Sequence, residues 1–389
     1  MLNFERGMQR WSIRNCDANG MRAATAQATD LRRLGSSNLR VPSLCLGTML
    51  FGESTEYNTA CHLMNKCLER GVNFFDTAEM YPVPQASETQ GASEKMLGDW
   101  LKSKDRSKII ISTKVSGPSG QMTWIRGGPM KVDAKNIASA IEGSLMRLGT
   151  DYIDLYQIHW PDRYVPMFGD VDYRTTYAYS EAVPLEVQLE ALGRAVREGK
   201  ILHVGLSNET AWGLMKCLHA AKQQVSDQPS FLLPRVASLQ NAYNLLCRTF
   251  DAHLAECCHL EGVSLLAYSP LAMGLLTGKY NVPGAAGADA RLIKYKGRYA
   301  EAESRYGMRP NVLSALKAYS DLAAEAGISP TEMALRFVLS HPLIASVVIG
   351  ATSMDQLKEQ LAAAEAGPLG EDLLMKIDEV HSMLPNPAP

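Results

Sequence analysis

The stretch VNFFDTAEMYP occupies residues 72–82 and joins a short apolar run to a carboxylate and a tyrosine. The run is too short for a helix and ends at Asp76, and the chain then turns within five residues to Tyr81, which a proline follows. One interpretation is a strand end that delivers two ionisable groups to one place. The other is a buried strand with a polar stop and a turn tyrosine.

Two later apolar runs end in the same manner. Residues 109–114 read IIISTK and end at Lys114, and residues 153–159 read IDLYQIH and end at His159. Successive strand ends therefore carry Asp76 with Tyr81, then Lys114, then His159. Because the carboxyl ends of parallel strands gather at one mouth of an α/β barrel, this order predicts that the four side chains share a site.

The rest of the chain alternates strand and helix patterns. Strands are predicted at 44–49, 72–75, 109–114, 152–158, 201–206, 236–239, 263–267 and 345–349. Helices are predicted at 57–70, 93–102, 133–147, 184–198, 209–221, 249–261, 311–326, 330–340, 354–366 and 371–383. The stretches 161–182 and 281–309 break this rhythm and are interpreted as long irregular loops.

Nearly every predicted strand is a continuous apolar run, which is typical of parallel strands buried on both faces. About eight such strands alternating with helices predict an α/β fold, a (β/α)8 TIM barrel. An N-terminal hairpin, long βα loops and C-terminal closing helices complete the predicted architecture. A doubly wound open sheet is the alternative, but no G-x-G-x-x-G follows any predicted strand.

Composition narrows the function. The 389 residues are 46% hydrophobic, without an apolar stretch of 18 residues, so we expect a soluble protein with no membrane partner. Lysine and arginine number 39 against 41 acidic residues, which gives no overall field for nucleic acid. The expected partner is a small molecule. The eight cysteines lack C-x-x-C spacing and are interpreted as reduced thiols, and no H-x-x-x-H or H-E-x-x-H spacing predicts a metal site.

The first thirty residues differ from the rest. They contain Arg6, Arg10, Arg14 and Arg22 against few acidic residues. We interpret residues 1–30 as a flexible extension, either the remnant of an organelle transit segment or a plain disordered extension, and residues 31–389 as one barrel domain. The expected location is the cytoplasm, or the plastid or organelle stroma if the extension is a transit remnant.

The four strand-end residues suit the protonation of an oxygen as a hydride reaches the adjacent carbon. Tyr81 would be the acid, and the Lys114 ammonium would lower its pKa from about 10. Asp76 would keep the lysine protonated, and His159 would donate a hydrogen bond to the substrate oxygen. Taken singly, each residue has an ordinary structural explanation: a capped strand end, a surface lysine or a core histidine.

At these residues the chain resembles the aldo-keto reductase superfamily, closest to its Tas-type branch of NADP-dependent oxidoreductases. The resemblance covers about residues 31–383. It is carried by FDTAEMY (75–81), STK (112–114), DLYQIHW (154–160), GLSN (205–208), LQN (239–241) and YSPL (268–271). It implies a (β/α)8 barrel that binds NADPH and reduces aldehydes or ketones. Tyr81 would be the acid, and Asp76, Lys114 and His159 would support it.

The resemblance also implies cofactor contacts. The positions are Thr48, Met49, Asp76, Ser207, Asn208, Gln240, Tyr268, Ser269, Pro270, Leu271, Met273, Lys279, Gly350, Ala351, Thr352, Gln356, Glu359 and Gln360. Ser207, Asn208 and Gln240 would meet the nicotinamide amide and Tyr268 its ring face. The segment that begins at Gly350 would meet the adenosine end. Gln356 departs from the family pattern, because many relatives have arginine there.

The residues themselves supply a partial replacement for that arginine. Thr352 and Ser353 open a predicted helix whose N-terminal amides attract phosphate, and Lys279 adds a positive charge. We therefore expect NADPH to bind more tightly than NADH.

Two other functions fit the same barrel. One is a cofactor-binding module that mainly binds a protein partner, like potassium-channel β-subunits. The other is a non-redox barrel enzyme such as an isomerase, which leaves the Tyr268 motif and the adenosine-end motif without an explanation. The substrate pocket would be shaped by the loops at 116–129, 161–184 and 281–309.

Overall fold

The computed structural model describes residues 30–178, 181–223, 233–281, 284, 286–307 and 309–389. Residues 1–29 of the predicted N-terminal extension lie outside the described residues, and so does its interpretation as a transit remnant. The division of the chain at residue 30 stays a prediction.

The chain begins its described part with a two-stranded antiparallel hairpin, β1 Leu31–Arg33 and β2 Arg40–Pro42. Leu34 and Val41 are fully buried and cluster with barrel-strand residues that include Phe74. At Gly35, where φ is +56°, a side chain would collide with the carbonyl oxygen of Ala237. The hairpin can therefore close one end of the barrel only with glycine at this turn.

Within the described ranges, eight parallel strands close into a barrel in the order β10-β3-β4-β5-β6-β7-β8-β9. They are β3 Leu44–Gly47, β4 Phe74–Asp76, β5 Ile110–Val115, β6 Ile153–Ile158, β7 Ile201–Ser207, β8 Val236–Ala242, β9 Ser264–Tyr268 and β10 Ile344–Ile349. The predicted (β/α)8 barrel is confirmed, and the open-sheet alternative is wrong.

Helices follow the strands and cover the barrel. They are α1 Tyr57–Glu69, α2 Ala92–Leu101, α3 Ala134–Leu148, α4 Leu185–Arg197, α5 Ala211–Lys222, α6 Thr249–Glu261, α7 Arg291–Lys294, α8 Ala300–Tyr306, α9 Val312–Glu325, α10 Pro330–Leu339, α11 Met354–Glu365 and α12 Glu371–Met383. In α3, Asp133 accepts a hydrogen bond from the Asn136 amide, and Gly149 ends the helix at φ +63°. None of the helices in the described chain is long and apolar enough to cross a membrane.

One prediction about the connections is wrong in part. The stretch 281–309 was expected to be irregular, but it contains the short helices α7 and α8. The aromatic residues Tyr295, Tyr299 and Tyr306 hold this segment against the barrel, since all three are buried. The loop after β9 therefore forms an ordered wall beside the strand ends.

Candidate active site

A cavity of about 900 Å³ opens among the C-terminal ends of the barrel strands. Asp76 and Tyr81 line one end of it, and the segment from Gly350 to Gln360 lines the other. The βα loops of a barrel converge at this face, which is where barrel enzymes carry their active sites. The cavity is large enough for a dinucleotide-sized ligand.

A buried ion pair lies beneath this cavity. The Lys114 Nζ donates to Asp76 Oδ2 at 2.6 Å and to the carbonyl oxygen of Thr77 at 2.7 Å. Gln240 Nε2 donates to the other carboxylate oxygen of Asp76 at 2.9 Å. Both charges are almost fully buried, so their pairing and these extra hydrogen bonds offset the cost of removing them from water.

The Tyr81 hydroxyl lies 3.4 Å from His159 Nε2, and the two rings meet edge to face with centroids 5.5 Å apart. The Lys114 Nζ lies over the Tyr81 ring, 5.2 Å from its centroid. Thus the structure brings together all four residues predicted from the strand ends, with the tyrosine hydroxyl directed toward histidine and the lysine held by aspartate.

The pKa of Tyr81 differs from the sequence-based expectation. We expected Lys114 to lower it, but burial raises the pKa of the Tyr81 hydroxyl well above its usual value, and the charges of Asp76 and Glu301 raise it further. The Lys114 ammonium is bound to Asp76, whose own negative charge raises the pKa of the hydroxyl. The phenol therefore stays protonated in the resting protein.

His159 is buried without a negatively charged partner among the described side chains. Burial, and to a smaller extent the charge of Lys114, lower the pKa of His159 well below its usual value. The imidazole is therefore neutral at physiological pH. Its Nδ1 has no hydrogen-bond partner in the described part of the chain, so Nε2 is the ring atom engaged at the site.

A chain of hydrogen bonds joins the neighbouring strand ends. Arg305 donates to the Tyr268 hydroxyl at 3.0 Å, and this hydroxyl donates to Asn208 Oδ1 at 2.6 Å. Asn208 Nδ2 in turn donates to the carbonyl oxygen of His159 at 2.9 Å. The Tyr268 ring and the Asn208 amide, both predicted to contact a nicotinamide, are thereby fixed relative to His159.

The far end of the cavity combines a helix N-terminus with basic side chains. Ser353 caps α11 by accepting from the Gln356 amide. Gln356 Oε1 accepts from the Thr352 amide at 2.9 Å, so this side chain is occupied within the turn. Arg291 Nη2 lies 4.0 Å from where a Cβ would be at Gly350. Burial and the charge of Arg291 lower the pKa of Lys279.

Most of the predicted cofactor-contact residues line the cavity. They are Met49, Asp76, Asn208, Gln240, Tyr268, Ser269, Pro270, Leu271, Met273, Lys279, Gly350, Ala351, Thr352, Gln356, Glu359 and Gln360. Thr48 and Ser207 are not among the lining residues, and their contact with the cofactor stays a prediction. The Thr48 hydroxyl bonds to Ser93 and the carbonyl oxygen of Asp76, and the Ser207 hydroxyl bonds to the carbonyl oxygen of Gln240. Both hydroxyls therefore hold the backbone of lining residues in place.

Sequence reasoning missed several lining residues. Arg291, Lys294, Tyr299 and Glu301 come from the segment 281–309, and Phe168 comes from the loop after β6. The only signal in the sequence was the basic composition of the segment 281–309, and nothing pointed to Phe168. No cluster of three potential metal ligands occurs among the residues that the structure describes.

Comparison with known proteins agrees with this geometry. The sequence model of the Aldo/keto reductase family matches residues 43–382. The chain belongs to this family. It is 43% identical to Protein tas of Escherichia coli (strain K12) over 359 residues, which are 92% of this chain and 99% of that protein.

Two further relatives widen the comparison. The chain is 40% identical to the Aldo-keto reductase of Babesia bovis over 290 residues, 71% of this chain and 96% of that protein. It is 30% identical to the Probable voltage-gated potassium channel subunit beta of Arabidopsis thaliana over 363 residues, 91% of this chain and 97% of that protein. Family membership makes the chain an oxidoreductase, of a family that generally uses NAD(P)H.

Proposed function

We propose that this protein reduces aldehydes or ketones to alcohols with NADPH, using Tyr81 as the general acid. The observation that carries the proposal is the Tyr81 hydroxyl, which lines the cavity 3.4 Å from His159 Nε2, above the buried Lys114–Asp76 pair. An acid must lie within hydrogen-bond reach of the oxygen that it protonates, and the open space beside Tyr81 gives a carbonyl that access.

The residues fit the proposed cofactor. A phosphate-bearing dinucleotide needs cations that are not already paired. Lys279, Arg291 and Lys294 line the cavity together with Asp289 and Glu359, and none of the described residues forms an ion pair with any of the three cations. The N-terminus of α11 adds amides and a positive dipole end beside them. When bound, the nicotinamide supplies the hydride.

The protein's own residues supply the proton. Neutral His159 with hydrogen on Nε2 donates to the substrate oxygen, and Tyr81 releases its proton to the same oxygen as negative charge develops there. The developing phenolate is stabilised by the Lys114 ammonium, which Asp76 and Thr77 hold in place. Because its pKa is raised, Tyr81 retains its proton until negative charge develops on the substrate oxygen.

Replacement of the hydroxyl tests this role. We expect Tyr81→Phe to lower the rate of aldehyde-dependent NADPH oxidation by about 10²–10⁴-fold while changing the Kd for NADPH by less than about threefold. Tyr57→Phe, on the exposed face of α1, is the matched control and should retain full activity. If the Tyr81 variant keeps more than about a tenth of the wild-type rate when hydride transfer is rate-limiting, another group is the acid.

A partner-binding role is the second candidate, because of the similarity to the potassium channel subunit. The complete set of Tyr81, Lys114, Asp76 and His159 favours the enzyme, since a binding module has no need of a buried acid and its supporting ion pair. Single-turnover oxidation of bound NADPH by an aldehyde separates the two roles. A module would bind the cofactor without this reaction.

A further inference from the structure

Glu301 brings a carboxylate to the Tyr81 end of the cavity, and the mechanism described above does not use it. It lies in the first turn of α8 and lines the cavity, with 22% of its side chain exposed. The Tyr299 hydroxyl donates to Glu301 Oε2 at 2.9 Å and lies 4.0 Å from the Met49 sulfur, so α8 is fixed against the loop after β3. The carboxylate therefore has a defined place in the wall.

The nearest cation does not cancel this charge inside the cavity. Arg305, one turn further along α8, approaches Glu301 Oε1 only to 3.9 Å. Its guanidinium donates instead to the Tyr268 hydroxyl and packs 5.5 Å from the ring centroids of Phe168 and Tyr268. Arg305 is 5% exposed and does not line the cavity. A ligand beside Tyr81 thus meets the carboxylate before the guanidinium.

The two ends of the cavity differ in charge. At the Tyr81 end, the other nearby carboxylate, Asp76, is 4% exposed and paired with Lys114 at 2.6 Å, whereas Glu301 is 22% exposed. The charge of Glu301 is close enough to raise the pKa of Tyr81 and of Tyr299. The other end is lined by three basic side chains, Lys279, Arg291 and Lys294, against the two carboxylates of Asp289 and Glu359, and Arg291 adjoins Gly350. The part of the cavity beside Tyr81, where the carbonyl compound would bind, therefore carries a net negative charge.

We propose that Glu301 selects the carbonyl substrate by charge, so that the protein reduces neutral and cationic aldehydes in preference to anionic ones. The proposal rests on the reductase function proposed above and names its substrate class. An anionic group beside Tyr81 meets an incompletely neutralised carboxylate in a space that is partly shielded from water, where like charges repel more strongly than in bulk solvent. A cationic or hydroxyl-bearing group finds an acceptor there instead.

Three matched aldehydes test the selection. They are 4-carboxybenzaldehyde, its methyl ester and 4-formyl-N,N,N-trimethylanilinium, each measured by kcat/KM with NADPH. For each aldehyde, kcat/KM of the wild type is divided by kcat/KM of Glu301→Gln, which cancels the intrinsic reactivity of that aldehyde. This quotient should be at least about tenfold higher for the ester and for the cation than for the anion. Glutamine keeps an oxygen for the Tyr299 hydroxyl. In the wild type, raising the salt concentration from about 0.02 M to about 0.5 M should reduce the difference in kcat/KM between the anionic aldehyde and the other two.

Glu303→Gln is the control, because it makes the same charge change on the same helix at an exposed residue outside the lining. Glu303→Gln should leave the relative kcat/KM values of the three aldehydes as they are in the wild type. If these relative values are the same in Glu301→Gln as in the wild type, the proposal is overturned. A changed Kd for NADPH with unchanged aldehyde ratios also overturns it, because the carboxylate would then contact the cofactor. If the wild type reduces none of the three aldehydes with NADPH, the proposed reductase function itself fails.

Discussion

Arg291→Met should remove most of the preference for NADPH over NADH. The position that many relatives give to arginine is Gln356 here, and its side-chain oxygen is occupied by the Thr352 amide. Arg291 approaches the same end of the cavity from α7, with Nη2 4.0 Å from where a Cβ would be at Gly350. None of the described carboxylates forms an ion pair with it, which leaves its guanidinium available for a phosphate.

The magnitude follows from the contact that would be lost. A charge-assisted hydrogen bond contributes about 1.5–3 kcal/mol, so Arg291→Met should raise the Kd for NADPH roughly 10- to 150-fold. NADH has no 2′-phosphate, and its Kd should change by less than about threefold. Methionine retains much of the apolar stem, which limits the loss of packing.

Fluorescence titration of the wild type and the variant with both nucleotides measures this effect, at a fixed ionic strength because phosphate binding is screened by salt. The control is Arg298→Met, whose side chain is 61% exposed, lies 4.0 Å from Glu53 and does not line the cavity. An equal loss of NADPH and NADH binding would refute the reasoning, because it would place Arg291 against the pyrophosphate that both nucleotides share. Unchanged NADPH binding would refute it as well.

Two further predictions concern the buried cluster. Lys114→Met should lower the free energy of unfolding by about 3–5 kcal/mol, because Asp76 is left buried with only amide donors such as Gln240. Adding Asp76→Asn to this variant should recover most of the lost free energy, because the buried charge is then removed. Urea denaturation measures both variants, and a double variant no more stable than the single one would contradict this. The kcat/KM for reduction should be flat from about pH 6 to about pH 9, because Tyr81 loses its proton only above its raised pKa and His159 gains one only below its lowered pKa. An ionisation within that range, in stopped-flow or steady-state rates, would mean that another group carries the proton.

The barrel and its strand-end residues could be predicted from the sequence because both depend on local patterns. Apolar runs locate the strands, and parallel order brings Asp76, Lys114 and His159 to one mouth. The raised pKa of Tyr81 could not be predicted, since it depends on how completely the surrounding loops exclude water. Arg291 and Glu301 were missed for a related reason: they belong to a segment without hydrophobic period, which folds against the barrel through its tyrosines.

The strands position the ion pair that supports the acid, whereas Tyr81 itself lies on the loop after β4. Asp76 pairs with Ser112 across β4 and β5, and Lys114 pairs with Gln157 across β5 and β6, so these side chains form adjoining polar layers inside the barrel. Gln157 Nε2 donates to the Ser112 hydroxyl at 2.7 Å. It has space to do so because the next strand carries Gly205, where a Cβ would lie 3.1 Å from the Gln157 side chain and 2.6 Å from the Ser238 hydroxyl. A buried polar layer is stable only when its donors and acceptors are paired, so a side chain at Gly205 would disturb the ion pair beneath Tyr81 without touching the cavity.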